Sequence, residues 1–288
     1  MQNILTVNNL TKQYSNGKGI RNISFELKKG TILGIIGLNG AGKSTLISCL
    51  TGFLRWDSGK IEYNFNGNKH SKIKPELMNH LGIVTSDYGF PGHFTAKVIS
   101  TIMSFTYSNW DKKKFEETCA HLDLDYKLKT SKYSTGMKTK LAIAIALSHN
   151  AKILVLDEAT RGLDVKASSK VRALLHAHVE SGENSIILTS HIMGEIERLS
   201  DEIMLIEDGD MQFNSNKDDL LHQHQIFLVT SKQLETIDRA DIAKIKRDEH
   251  TTYIIAKDPR RFHEKYNIES MHSPLDRVVE LLLEGDAA

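Results

Sequence analysis

Eight consecutive residues, Gly37-Leu38-Asn39-Gly40-Ala41-Gly42-Lys43-Ser44, follow the pattern G-x-x-x-x-G-K-[ST]. Glycines at this spacing let a backbone wrap closely around phosphate oxygens and present N–H donors at the positive end of the helix that follows. In such a loop Lys43 reaches the β- and γ-phosphates and the Ser44 hydroxyl completes a Mg²⁺ shell. Gly37, Asn39, Gly40, Ala41, Gly42 and the next residue, Thr45, are the remaining candidate phosphate contacts. A glycine turn that merely caps a helix is disfavoured by the rarity of the full pattern and by its place between an apolar strand and a helix. Downstream, Ile153-Leu154-Val155-Leu156 runs into two acids, Asp157 and Glu158. Phosphoryl transfer to water needs two acidic functions, one oxygen ligand for Mg²⁺ and one acceptor for the proton of the attacking water. Asp157 suits the first and Glu158 the second. Taken alone, two acids at a strand end are more simply a solvated terminus; the phosphate loop reverses that reading.

These groups need a scaffold of parallel strands. Apolar runs at Ile4 to Leu10, Ile20 to Leu27 and Thr31 to Ile36 read as strands, with turns at Asn16-Gly17 and Lys28-Lys29-Gly30. A helix is expected from Gly42 through Leu46, Ile47 and Leu50 to Gly52, then a strand over Lys60 to Phe65. From about Thr95 to Leu147 the pattern is mostly helical, with Val98, Ile102 and Phe105 at helical spacing. Strands at Ile153 to Leu156 and Ser185 to Thr189 enclose a helix from about Lys166 to Val179. Strand, helix and strand in alternation predict an α/β fold with a parallel sheet and crossover helices. Beyond Ile203 to Ile206 the pattern changes. Strands are expected at Gln225 to Thr230 and Thr252 to Ala256, and helices at Lys232 to Asp238 and Leu275 to Leu283. The expected domains are therefore residues 1–214, with a helical part at about 87–150, and an α+β accessory domain at 215–288.

Composition excludes several classes. The 288 residues are 40% hydrophobic and 25% charged, which is ordinary for a globular protein. Lys+Arg 37 against Asp+Glu 36 gives a net charge of +1, so no global field draws the chain to nucleic acid or an anionic membrane, although a local basic patch remains compatible. Cys49 and Cys119 have no C-x-x-C partner and are expected as reduced core residues. The strongly apolar stretch Leu141 to Leu147 is far below the eighteen or so residues that span a bilayer, and the start of the chain has no signal-peptide pattern. A cytoplasmic protein with no membrane span of its own is expected. His222-Gln223-His224 reads as a solvated helix end rather than a metal site, and Lys112-Lys113-Lys114 as a solvated helix face.

Further motifs narrow the family. Ser134-Thr135-Gly136-Met137, before a helix, resembles the Leu-Ser-Gly-Gly-Gln signature of ATP-binding cassette (ABC) ATPases, with Ser134 and Gly136 in matching slots and Tyr133, Thr135 and Met137 as departures. Gly162-Leu163-Asp164 resembles the family's D-loop, with Arg161 at its usual serine position and Ala159 at its usual proline position. His191 matches the switch histidine, and Tyr14 the aromatic that stacks on adenine. The resemblance spans residues 1 to about 210. It implies a P-loop NTPase of the ABC type with a RecA-like core, an antiparallel β subdomain and a helical subdomain. It also implies ATP and Mg²⁺ as cofactors, with Ser134, Gly136 and Asp164 at a nucleotide bound by the opposite subunit of a dimer. The family's glutamine four residues after a glycine equivalent to Gly82 is replaced by Ser86, followed by Asp87; either could supply the oxygen toward Mg²⁺ and water, and Asp87 is the better ligand for Mg²⁺.

The implied function is that of the ATPase subunit of a bacterial ABC transporter in the exporter branch, similar to ATPase subunits of phenol-soluble modulin exporters. Integral-membrane permease subunits are the expected partners, beside a homodimeric or heterodimeric ATPase mate, and the chain would sit at the inner face of the membrane through the permease. The family's coupling helix would dock around Ser86 to Phe94, with Tyr88, Phe90 and Phe94 as anchors. A soluble ABC ATPase acting on ribosomes or DNA is the alternative; one uninterrupted cassette of near-zero charge weighs against it.

Overall fold

Alternating apolar residues in the first thirty positions form two long antiparallel strands, β1 (Asn3–Gln13) and β2 (Gly19–Lys28). The computed structural model describes residues 2–65, 67–72, 74–85, 89–190, 192–248 and 251–287. After β2 come β3 (Ile32–Ile36), α1 (Lys43–Thr51), β4 (Ser58–Phe65), β5 (Asn68–His70), α2 (Pro75–Met78) and β6 (Leu81–Val84). Three helices follow, α3 (Ala96–Thr106), α4 (Lys112–His121) and α5 (Thr135–Leu147). The chain then returns through β7 (Ile153–Asp157), α6 (Val165–Val179), β8 (Ser185–Thr189), α7 (Met193–Leu199), β9 (Glu202–Glu207) and β10 (Asp210–Asn216). Contacts divide the chain into two compact units, residues 1–191 with 199–214, and residues 192–198 with 215–288.

In the first unit β3 lies between β8 and β9 in a six-stranded sheet of order β10-β9-β3-β8-β7-β6. All five residues of β3 are buried, as a parallel strand covered on both faces requires. Register matters most here. Ile35 pairs with Thr189, and Thr189 with Asp157, so the ends of β3, β8 and β7 finish in one row. A second sheet, β2-β1-β4-β5, shares a core with it: Leu10, Ile23 and Tyr63 from one pack in the same cluster as Leu33, Val155 and Ile187 from the other. Local side chains start the helices. Thr95, Asp111, Ser134 and Asp164 each accept a backbone N–H two or three residues into α3, α4, α5 and α6, a cap worth about 1 kcal/mol apiece.

The second unit holds α8 (Lys217–Gln223), β11 (Ile226–Val229), α9 (Ser231–Leu234), β12 (Ile242–Arg247), β13 (Thr252–Ala256), α10 (Pro259–Tyr266), β14 (Ser270–Met271), α11 (Leu275–Glu284) and β15 (Asp286–Ala287). The strands form an antiparallel sheet of order β14-β11-β13-β12-β15. Alternation along β11 and β13 sends Phe227, Val229, Ile254 and Ala256 to a core with Phe262 of α10, and Ile226 and Ile255 to one with Val278 and Leu281 of α11.

Several expectations change. The stripe Val98, Ile102, Phe105 predicts α3 but does not form its buried face: Val98 is 41% and Phe105 88% exposed, while Ala96, Ile99 and Ser100 face inward. Lys114 departs from its solvated neighbours, being half-buried and shifted below the ordinary lysine value, chiefly by burial. The helix expected over Lys232 to Asp238 ends at Leu234, because Ile237 enters the core and the Asp238 N–H donates to the Tyr266 hydroxyl. Cys49 and Cys119 are buried free thiols, which burial pushes up to about 11 and about 12. His222 and Gln223 are exposed at the end of α8, and among the described residues no helix is long and apolar enough to cross a membrane.

His178, on the last turn of α6, is buried and its Nε2 has no hydrogen-bond partner among the described residues. Burial first, then Lys114, Lys152 and His149, push it down from 6.5 to about 4. The folded state thus favours neutral His178. Its stability is whole above the unfolded value and falls as pH drops from about 6.5 toward 4, a loss of roughly 2–3 kcal/mol by pH about 4.5. Denaturant unfolding at pH about 7.5 and about 4.5 should show that loss reduced in His178→Gln. Equal pH dependence in both proteins would refute it.

Candidate functional site

Between β3 and α1 the chain folds into a loop that only glycine could open. Gly37 has φ +154°, and a Cβ there would lie 2.2 Å from the Ile206 carbonyl oxygen, a backbone atom that cannot rotate away. The loop curls over Lys43, whose Nζ donates to the carbonyls of Gly37 at 2.7 Å and Leu38 at 3.0 Å. Burial lowers the Lys43 ammonium below the ordinary lysine value, opposed by the charges of Asp157 and Glu158. A partly desolvated cation facing two carboxylates is a site built for anions that bring their own counter-ion.

The acids come from the end of β7. Thr189, one strand away in the shared row, donates its Oγ1 hydrogen to Asp157 Oδ1. The Glu158 N–H in turn donates to the Thr189 carbonyl at 3.2 Å and to Thr189 Oγ1 at 3.3 Å. Glu158 itself has φ +53°, the left-handed region that costs a non-glycine residue roughly 1–2 kcal/mol. Such strain persists where the surroundings over-determine it, and here Thr189 holds one side while the Arg161 N–H donates to the Glu158 carbonyl at 3.1 Å on the other. The Arg161 guanidinium also stands 3.9 Å from Glu158 Oε2.

One cleft of about 440 Å³ gathers Tyr14, Asn39, Gly40, Gly42, Lys43, Ser44, Thr45, Asp157 and Glu158 from the sequence-predicted set. Asn16, Lys18 and Gly19 also line it; the turn in which the Tyr14 N–H donates to the Lys18 carbonyl brings them there. Sequence reasoning missed these three and Thr189, although the turn signal at Asn16-Gly17 and the strand ending at Thr189 were visible. Gly37 and Ala41, the other two loop candidates, flank this lining; the Ala41 N–H donates to the Leu38 carbonyl at 3.1 Å and the Ala41 carbonyl accepts from the Gly209 N–H at 2.9 Å.

Ser134, Gly136 and Asp164 stand outside the cleft lining as a separate assembly. Ser134 caps α5 and Asp164 caps α6. Between them Gly136 packs on Gly162 so closely that a Cβ would lie 2.3 Å from the Gly162 carbonyl oxygen, and Thr139 Oγ1 donates to the Arg161 carbonyl at 3.0 Å. His191, Ser86, Asp87 and Tyr88 lie outside the described residues. No group of three or more His, Cys, Asp or Glu among the described residues could hold a metal alone. The donors present, Ser44 and Asp157, fit a Mg²⁺ that receives its other oxygens from phosphate and water.

A model of the ABC transporter family matches residues 20–161. The bacitracin transport ATP-binding protein BcrA of Bacillus licheniformis is 34% identical over 211 residues, covering 73% of this chain and 68% of that protein. The linearmycin resistance ATP-binding protein LnrL of Bacillus subtilis is 32% identical over 222 residues, 75% of this chain and 70% of that one. The lantibiotic transport ATP-binding protein SrtF of Streptococcus pyogenes is 29% identical over 228 residues, 78% and 96%. Among solved structures, an ATP-binding subunit of an ABC transporter superposes with a TM-score of 0.69 at 22% identity, over 76% of this chain and 92% of its own. A dimeric ATP-binding cassette in a post-hydrolysis state with ADP and phosphate gives 0.65 at 22% identity, over 74% and 98%. The shared fold is thus a P-loop ABC ATPase domain. With the phosphate loop, the paired acids and relatives of this identity and coverage, the chain belongs to the ABC transporter family, as one of its ATP-binding, ATP-hydrolysing subunits.

Proposed function

We propose that this chain powers a separate membrane permease in a bacterial exporter of amphipathic peptides or drugs. The observation that carries the hydrolytic half is the single cleft containing Lys43, Ser44, Asp157 and Glu158; the named roles of the bacitracin, linearmycin and lantibiotic relatives support the exporter half. In this reading the loop N–H groups and Lys43 take the phosphates, the ammonium exchanging the Gly37 and Leu38 carbonyls for phosphate oxygens. Glu158 accepts the proton of the attacking water, and Thr189 keeps Asp157 and the Glu158 backbone in place. Mg²⁺ held by Ser44 and Asp157, with Ser86 or Asp87 as a further ligand, would neutralise charge on the transferred phosphoryl group. His191 completes the proposed catalytic set, and Tyr14 stacks on the adenine.

Two copies, or one copy and a similar mate, would close on two nucleotides, with Ser134 and Gly136 meeting the γ-phosphate held by the other subunit and Asp164 beside them. Ser86 to Phe94 is the proposed permease contact, with Tyr88, Phe90 and Phe94 as anchors; Phe90 and Phe94 are half-buried. Residues 215–288 would support dimerisation or regulate turnover. The alternative of a soluble ATPase acting on ribosomes or DNA draws no support from these relatives. To test the proposal, the chain is reconstituted with its permease and its ATPase rate measured with amphipathic peptides, sugars, amino acids and metal ions. Several-fold stimulation by amphipathic peptides is expected. Stimulation only by a hydrophilic nutrient would overturn the exporter reading.

A further inference from the structure

One buried hydroxyl touches both acids of the cleft. All five residues of β8 are buried, and at its end, beside the end of β7, Thr189 keeps only 1% of its surface exposed. Valine would fill that place without a polar atom, whereas a buried hydroxyl is unfavourable unless its hydrogen-bonding capacity is used. Here it is used on the two acids. The Glu158 N–H donates to Thr189 Oγ1 at 3.3 Å and is shared with the Thr189 carbonyl at 3.2 Å. With a donor aimed at its oxygen, the hydroxyl has one hydrogen left to give, and gives it to Asp157 Oδ1. The side chain is held firmly: Thr189 pairs with Ile35 on one side and Asp157 on the other, and its branched Cβ stiffens χ1.

The consequence falls on Asp157. This residue lines the cleft with one oxygen already spent, because Oδ1 accepts from Thr189, while Oδ2 accepts no hydrogen bond among the described residues. A carboxylate tied down in this way offers a cation its other oxygen alone. Such a limit separates divalent cations. A compact Mg²⁺ octahedron takes single oxygens from one or two carboxylates and fills its remaining corners with phosphate and water oxygens. Ca²⁺ has longer bonds and up to about eight ligands, and it accepts both oxygens of one carboxylate.

We propose that Thr189 sets the cation preference of the nucleotide site: by occupying Asp157 Oδ1 it keeps Asp157 a one-oxygen ligand, which suits Mg²⁺ and denies Ca²⁺ a second oxygen. Thr189 is therefore a positioning residue that acts through Asp157. The proposal rests on the reading of Asp157 as a ligand of the nucleotide's cation, and adds to it the choice between cations.

The test uses the full chain and AMP-PNP, a nucleotide that is not hydrolysed, so that the readout is affinity rather than turnover. Its dissociation constant is measured by calorimetry with Mg²⁺ and then with Ca²⁺ as the only divalent cation. The unaltered protein should bind at least about tenfold more tightly with Mg²⁺. Thr189→Val keeps the shape of the side chain and frees Oδ1, so the preference should fall to about threefold or less, chiefly through tighter binding with Ca²⁺. Thr189→Ala should repeat that loss, which keeps the test open should valine perturb β8, and Thr189→Ser, which restores the donor, should return the preference. Thermal unfolding without nucleotide checks the fold of each variant. Equal binding with both cations by the unaltered protein, an unchanged preference in the valine and alanine variants, or equal weakening with both cations, the mark of a purely structural role, would overturn the proposal. Asp157→Asn separates it from the reading beneath it. If that variant binds as tightly with Mg²⁺ as the unaltered protein, Asp157 is no ligand and the reading of the cleft itself fails. If it binds more weakly while Thr189→Val and Thr189→Ala keep the preference, the assignment to Thr189 fails alone.

Discussion

Glu158→Gln is expected to lower ATP hydrolysis by at least about a hundredfold while leaving ATP affinity within about threefold, the signature of losing a proton acceptor rather than a binding group. The structure explains why the change should be clean. Both hydrogen bonds from the Glu158 N–H to Thr189, and the one from Arg161 to the Glu158 carbonyl, are made by backbone and survive the substitution. Glutamine meets the left-handed conformation at φ +53° with the same backbone as glutamate, so the turn carries no new strain. Phosphate binding through Lys43 and the loop stays intact, and the unhydrolysed nucleotide should hold a closed dimer. Single-turnover hydrolysis, nucleotide titration and gel filtration with ATP together check this. Turnover near that of the unaltered protein would remove Glu158 from its assigned role.

The second large effect is expected at Gly136. Alanine there would put a methyl carbon 2.3 Å from the Gly162 carbonyl oxygen and 3.1 Å from its carbon, both backbone atoms, so the start of α5 or the turn from Glu158 to Asp164 must move. Thr139 Oγ1 already ties α5 to the Arg161 carbonyl, and the displacement is therefore carried toward Glu158 in the same chain. Turnover should fall at least about tenfold with ATP binding at the Lys43 cleft retained, whereas Gly194→Ala, where a Cβ meets nothing within 4 Å among the described residues, should be neutral. Full activity of Gly136→Ala would show that this contact carries nothing. The same geometry alters how a role across a dimer must be tested. Mixed dimers of a Lys43→Ala chain with a Gly136→Ala chain place both defects in one composite site, yet the displaced turn also burdens the second site. Activity well below half of normal is the expected result, and mixed dimers as inactive as both parents would show that the effect within the chain dominates.

The parts of the candidate site are written locally, and the sequence by itself determined where they stand in the chain. A glycine loop after an apolar strand, two acids at the end of another, and the helix start at Ser134 all follow from backbone requirements spanning fewer than about ten residues. The α/β architecture follows in the same way from alternating strand and helix periods. Tertiary structure alone decided what depends on distant neighbours. Thr189 supports Asp157 only because β8 lies beside β7 in one parallel register, which no local pattern encodes. The stripe of Val98, Ile102 and Phe105 announces a helix, but which face is buried depends on what packs against it, and Ile99 and Ser100 occupy that side. The Ala41 N–H turns back on the Leu38 carbonyl, a hydrogen bond that the motif alone does not announce. Helical and strand periods report that a segment has an apolar side; burial, register and the spending of each polar group are settled by contacts between residues far apart in the chain, and those come into being only when the whole chain packs.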